Sequence, residues 1–330
     1  MRKIIFCTIC SILALATIMP LSVNKTAYAS AQAEIAMELT TGTVLSENNA
    51  DAKLPMASTT KILTAIIVIE DCNLDEEITV PDKAVGVEGS SIYLKHGEKI
   101  NICDLLYGLM LRSGNDCAAA LAIHHSGSIE KFAEVMNERA RKIGALSSNF
   151  KNPSGLPDDE HYTTARDLCK IACYAMKNPE FKKIVSTANY NGKYKSFINK
   201  NKMLKFCEGA NGIKTGYTVK AGRCLVSSAE RCGMDIVTVV LNCPDMYAHS
   251  CSLFDKCFKT YKLLKFDTNK VFISGNILCK LEKNENIVVK SYGDINYEVI
   301  PVGEQTDNAV AELKISDENG LLFTRKLYSI

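Results

Sequence analysis

The chain has 330 residues, 47% of them hydrophobic and 23% charged, a composition that excludes wholesale disorder and fits one large domain or two ordinary ones. Lys+Arg is 39 against 37 Asp+Glu, a net charge of +2 with no basic domain, which argues against nucleic acid as a partner. Residues 1–29 open with Met1-Arg2-Lys3, continue through an apolar run from Ile4 to Val23 and close on Ala27-Tyr28-Ala29. That layout predicts a secretory signal peptide, with Ala29-Ser30-Ala31 as an overlapping cleavage option. An uncleaved anchor is the alternative, and Pro20 beside the cleavage pattern weighs against it. No other run reaches the roughly 18 apolar residues needed to span a bilayer.

Alternation over 34–47 around Thr41-Gly42 predicts a hairpin, and the apolar run 58–71 a buried helix. Turns and short strands follow over 72–100, then helices at about 102–111, 116–126 and 128–143, the first two separated by Arg112-Ser113-Gly114-Asn115. The Asn-, Pro- and Gly-rich stretch 145–162 reads as loop, and Thr164-x-x-Asp167 as the cap of a helix to about 177. Strand-like runs occupy 190–197, 212–214, 224–228 and 236–241, and 247–264 reads as a closing helix. Beyond Phe266 helical periodicity gives way to short alternating runs (271–273, 287–289, 310–315), as in a small β-rich domain. The expected division is therefore 1–29, 30–265 and 266–330.

Of 14 cysteines, 12 lie beyond the signal segment. Export would favour disulfides, yet most sit among apolar neighbours, so they read as free core residues in reducing surroundings. Cys169 and Cys173, at i and i+4 on one helix, could hold a metal, but no matching pair lies nearby.

Three short motifs carry chemistry. Ser58-Thr59-Thr60-Lys61 sets a hydroxyl and an amine on one face of a helix start. Serine needs a base to become a nucleophile, and a lysine whose pKa is lowered by burial can be that base. Ser113-Gly114-Asn115 offers a hydroxyl to relay a proton and an amide to hold a peptide. Lys214-Thr215-Gly216 offers a cation and a hydroxyl for a carboxylate, and a glycine that lets a substrate backbone approach as an added strand. Each motif alone is weak: a capped helix, a turn and a strand end would explain them.

The set in this order, S-x-x-K then S-x-N then K-T-G, is characteristic of penicillin-binding proteins and class A β-lactamases. With Pro55-Met56-Ala57 before Ser58, Leu109-Met110-Leu111-Arg112 before Ser113, His161-Tyr162-Thr163-Thr164-Ala165-Arg166-Asp167 and Gly212-Ile213-Lys214-Thr215-Gly216-Tyr217, residues 34–265 resemble serine-type D-alanyl-D-alanine carboxypeptidases, the low-molecular-mass penicillin-binding proteins of bacterial walls. The resemblance implies an α+β, β-lactamase/transpeptidase-like domain, a mostly antiparallel sheet flanked by helices, with the β-rich tail as the family's second domain. It implies that Ser58 attacks the bond between two D-alanines of a peptidoglycan stem peptide, that Lys61 takes its proton and that Ser113 protonates the departing D-alanine. Asn115 would hold the peptide, and Lys214, Thr215 and Gly216 the carboxylate end. The backbone N–H groups of Ser58 and Tyr217 would form the oxyanion hole. No metal or organic cofactor would be needed, β-lactams would be inhibitors, and the protein would act outside the cytoplasm, at the wall or the outer membrane face.

Three departures accompany the resemblance. The segment Asn199-Lys200-Asn201-Lys202 offers only lysines where some relatives have an arginine for the substrate carboxylate. Asn211 stands where relatives often have Asp, and the chain ends on a strand-like Arg325–Ile330 rather than an amphipathic anchor, so loose membrane association is expected at most. A β-lactamase would need a second acid in an E-x-x-L-N loop, and no such string occurs. A non-catalytic wall-binding module is disfavoured by the intact motifs. His161 is expected to shape a loop and helix cap rather than to catalyse.

Overall fold

In a computed structural model that describes residues 30–302 and 308–330, five antiparallel strands form the central sheet. Their order is Val44–Asn48, Ala33–Glu38, Met234–Leu241, Gly222–Arg231 and Ala210–Thr218. The proposed signal segment 1–29 lies outside the described residues. Strand periodicity assigns the two faces. Ile35, Met37, Val226, Val237 and Val239 pack into one core with the helices Lys61–Asp71 and Ala165–Met176. Ala36, Leu225, Ala229, Ile236 and Val240 face a second core, covered by the helix Met246–Thr260 through Phe254 and Cys257. The sheet is thus buried on both sides, which is why its inner strands read as nearly continuous apolar runs.

The expected hairpin, the helices at 102–143 and the Thr164 cap are all present; Thr164 Oγ1 accepts the Asp167 N–H. Two helices escaped the sequence reading. Pro179–Ser186 is capped by Asn178 with Pro at its first position, and Met203–Phe206 is a single turn. The closing helix, expected to reach 264, stops at Thr260, because Tyr261–Phe266 is drawn into a strand by its pairing with Glu285–Lys290. After it come five further antiparallel strands with their own core, in which Ala311, Leu313, Ile315 and Leu327 alternate inward. The strand-like run expected from Arg325 onward is the second half of the strand Gly320–Ser329. Among the described residues no helix is long and apolar enough to cross a membrane.

Candidate active site

The residues singled out from the sequence converge where the N-terminus of the buried helix meets the edge strand Ala210–Thr218. Ala57–Thr60 forms a tight turn running directly into that helix. Ala57 enters it with φ 49°, a left-handed conformation uncommon for a residue with a side chain and concentrated at functional sites. Ser58 is half-buried and faces the cleft, whereas Met56, Thr59 and Thr60 are buried. The turn is held from beneath: Thr59 Oγ1 donates to Met56 O (2.6 Å) and Thr60 Oγ1 to Ala57 O (2.8 Å). His161 supports Thr60. Its Nδ1 accepts the Lys151 N–H (3.0 Å), so its Nε2–H donates to Thr60 Oγ1 (2.8 Å). Burial holds this imidazole neutral, with a pKa pulled down to about 4, in keeping with a shaping role.

Lys61 is fully buried. Its Nζ donates to Ser58 Oγ (2.9 Å), Asn115 Oδ1 (2.7 Å) and Ser154 O (2.5 Å). Burial pushes its pKa well below the ordinary lysine value, and the nearby Lys214 charge acts in the same direction. Asn115 has its carboxamide engaged at both ends, accepting from Lys61 and donating Nδ2–H to Glu88 O (2.5 Å). It therefore orders the base and the 88–90 loop as well as lining the cleft.

Ser113 follows the wide turn Gly108–Arg112 with φ 65°. It lines a cavity of about 390 Å³ together with Ser58, Thr215, Gly216 and Tyr217. Ser58 and Tyr217 also border a neighbouring cavity of about 530 Å³. Lys214 is buried, its Nζ donating to Thr215 O (2.9 Å), and burial followed by the Lys200 charge brings its pKa down to about 7. Gly216 is required by space: a Cβ there would stand 3.0 Å from Met56 O and 3.1 Å from Ser58 N. Tyr217 is exposed at the rim. Asn211 Oδ1 accepts from Ser228 Oγ, away from the motif side chains.

Several functional residues were not legible as such. Ser154 supplies the carbonyl that holds Lys61, and Gly155, at φ +84°, packs on the backbone of Ala57 and Ser58. Asn152 builds that loop by accepting from the N–H groups of Ser154, Gly155 and Leu156. The turn-forming string Asn152-Pro153-Ser154-Gly155 was the available signal. Asp116 anchors the opposite wall, accepting from Ser91 Oγ and from the N–H groups of Ile92 and Leu94. Residues 199–202 bring Lys200 to the smaller cavity, and an arginine borders it from another strand: Arg223, directly across the ladder from Tyr217. Cys169 and Cys173 are buried in the core.

The family profile described as D-alanyl-D-alanine carboxypeptidase matches residues 21–245. A D-alanyl-D-alanine carboxypeptidase from Streptomyces sp. (strain K15) is 37% identical over 228 residues, covering 62% of this chain and 78% of that one. The D-alanyl-D-alanine carboxypeptidase DacF of Bacillus subtilis is 28% identical over 329 residues, covering 90% of this chain and 82% of that one. The crystal structure of the D-alanyl-D-alanine carboxypeptidase DacD from Francisella tularensis superposes with a TM-score of 0.73 at 26% identity, over 91% of this chain and 92% of that one.

Proposed function

We propose a division of labour for the cleft of a chain that belongs to the D-alanyl-D-alanine carboxypeptidase family and is a serine-type hydrolase of that specificity. The substrate is a peptidoglycan stem peptide ending in D-Ala-D-Ala, Ser58 is the nucleophile and Lys61 its base. One observation carries this assignment. Of the three groups around Lys61 Nζ, the carbonyl oxygens of Asn115 and Ser154 can only accept, and only the Ser58 hydroxyl can also donate. A neutral amine has two N–H bonds and one lone pair. With both N–H groups on the two carbonyls, the lone pair faces Ser58 Oγ–H. Burial favours that neutral form, so the base is prepared before substrate arrives.

Ser58 Oγ then attacks the penultimate D-alanine carbonyl as its proton passes to Lys61. The oxyanion is received by the backbone N–H groups of Ser58 and Tyr217, which the closeness of Gly216 to Ser58 N supports. Ser113 passes a proton to the departing D-alanine amine, and water hydrolyses the ester with the same Lys61 as base. Lys214, Thr215 and Gly216 receive the carboxylate end of the peptide, Asn115 its amide, and Tyr217 lies over the rim. Residues 1–29 direct export, so the reaction takes place outside the cytoplasm, and 30–265 form the catalytic unit ahead of the β-rich 266–330.

β-Lactams enter as mimics of the same terminus. No second carboxylate stands in a recognisable deacylation motif, and the opened ring stays attached where D-alanine would have left. A fluorescent penicillin should therefore label the parent protein persistently and the Ser58→Ala variant not at all. Mass spectrometry should show repeated D-alanine release from a stem peptide. Rapid, repeated penicillin turnover without D-alanine release would overturn the assignment in favour of a β-lactamase.

A further inference from the structure

Two cysteines come together from the turn Met203–Phe206 and the helix Met246–Thr260, which pack on one another. Cys207 closes the turn, its N–H donating to Met203 O (3.2 Å). Cys251 comes from the long helix, its Sγ 4.0 Å from Phe206 O and 4.0 Å from Met203 Sδ. Arg231 completes the cluster: Nη2 donates to Cys207 Sγ (3.6 Å), and Nη1 donates to Asp255 Oδ1 (2.7 Å), one helical turn beyond Cys251. The neighbouring Cys251 thiol, then the Arg231 charge, draws the Cys207 thiol below its ordinary pKa despite burial and the opposing Asp255 charge. The proximity of Cys207 drives the Cys251 thiol upward. Cys207 is thus the more acidic of two neighbouring sulfurs, with Arg231 against it. Cys169 and Cys173 also lie close, on one helix in the core, where burial drives the Cys169 thiol well up.

We propose that Cys207 and Cys251 are a redox pair, closed to an intramolecular disulfide by exchange with a small-molecule disulfide. The Cys207 thiolate attacks one sulfur of the reagent, forming a mixed disulfide and expelling one thiolate. The Cys251 sulfur, losing its proton, attacks Cys207 Sγ and expels the second. One reagent disulfide is reduced to two thiols, which take up the two protein protons, and two protein thiols become one disulfide. The bond would tie together two pieces of the cleft's outer wall. Tyr247, one turn before Cys251, lines the smaller cavity and packs its ring 6.2 Å from that of Phe206, the residue before Cys207; Lys200, from the segment leading into the turn, lines it too. This consequence rests on the cleft being the substrate site, whereas the bond itself does not.

The test uses the full exported chain carrying Cys232→Ser, which removes the exposed thiol. The reduced protein is treated with oxidised glutathione, denatured with an alkylating agent, digested without reductant and mapped by mass. The peptides holding Cys207 and Cys251 should be joined, the other cysteines alkylated, and the Tm raised by roughly 5–10 °C. Cys251→Ser should stop the reaction at a glutathione adduct on Cys207, and Arg231→Gln should slow closure about threefold or more at pH 7. Alkylation of both cysteines in natively folded protein, or preferential closure of another pair, would overturn the proposal. The readout is a mass and not a turnover, so its failure is distinct from failure of the catalytic assignment.

Discussion

Replacing Gly155 with alanine should disable the proposed nucleophile from behind while leaving every motif residue unsubstituted. A Cβ at 155 would lie 1.9 Å from Ala57 O, 2.3 Å from Ala57 C and 2.9 Å from Ser58 N, all backbone atoms that no side-chain rotation can relieve. Relief requires the Ser58 turn and the Ser154–Gly155 loop to part by roughly 1 Å, and a displacement of that size at a reacting centre costs about 100-fold in rate. The same movement pulls Ser154 O away from Lys61 Nζ, loosening the contact that orients the base. Stability falls as well. Alanine at φ +84° costs about 1–2 kcal/mol of backbone strain, and overpacking adds about 1–3 kcal/mol, a Tm loss of roughly 5–15 °C. Gly42→Ala is the control: its φ is +73°, but nothing lies within 4 Å of the added carbon. That variant should lose a few degrees of Tm and keep the parent rate. The assay is the second-order rate of Ser58 labelling by a fluorescent penicillin, alongside calorimetry. Labelling of Gly155→Ala within threefold of the parent would refute the reasoning, because the backbone overlap would then have been absorbed without moving Ser58.

Lys61→Ala should lower acylation by both penicillin and peptide about 10³-fold, whereas Lys214→Ala should raise KM for carboxylate-bearing substrates about tenfold or more with a smaller loss in kcat; steady-state and labelling kinetics separate the two. The pH profile of penicillin acylation should be bell-shaped. Lys61 must be neutral, so the rate falls as pH drops through its lowered pKa; Lys214 must be charged, so the rate also falls as pH rises through about 7. Lys214→Arg should remove the alkaline limb, and its persistence would assign that limb to another group. N-terminal sequencing of the exported protein should read from Ser30, or from Gln32 if the overlapping site is cut; retention of residues 1–29 in secreted protein would overturn the cleavage assignment.

Short-range chemistry was legible along the chain. The period of two in Ala33–Glu38 and Ala309–Asp317 follows from alternating side-chain directions and needs no knowledge of partners. So does the cap at Thr164, a contact three residues long. Ser58 and Lys61 meet because i and i+3 share a helical face, which made the proposed nucleophile and base readable as a pair. The boundary at Thr260 was not readable, because Tyr261–Phe266 becomes strand only by pairing with Glu285–Lys290.

What the amino-acid order determined, then, was the set of proposed reacting groups, the class of chemistry they support and most of the elements that carry them. What only the tertiary structure decided was the environment that makes those groups reactive. The lone-pair direction of Lys61 depends on Asn115 and Ser154, 54 and 93 residues away. Arg223 reaches the cleft because its strand pairs with the edge strand opposite Tyr217. The depressed pKa of Lys61 arises chiefly from complete burial among elements drawn from across the chain. Desolvation and hydrogen-bond geometry are properties of a three-dimensional surround, and a linear pattern of residue types does not contain them until the chain has folded.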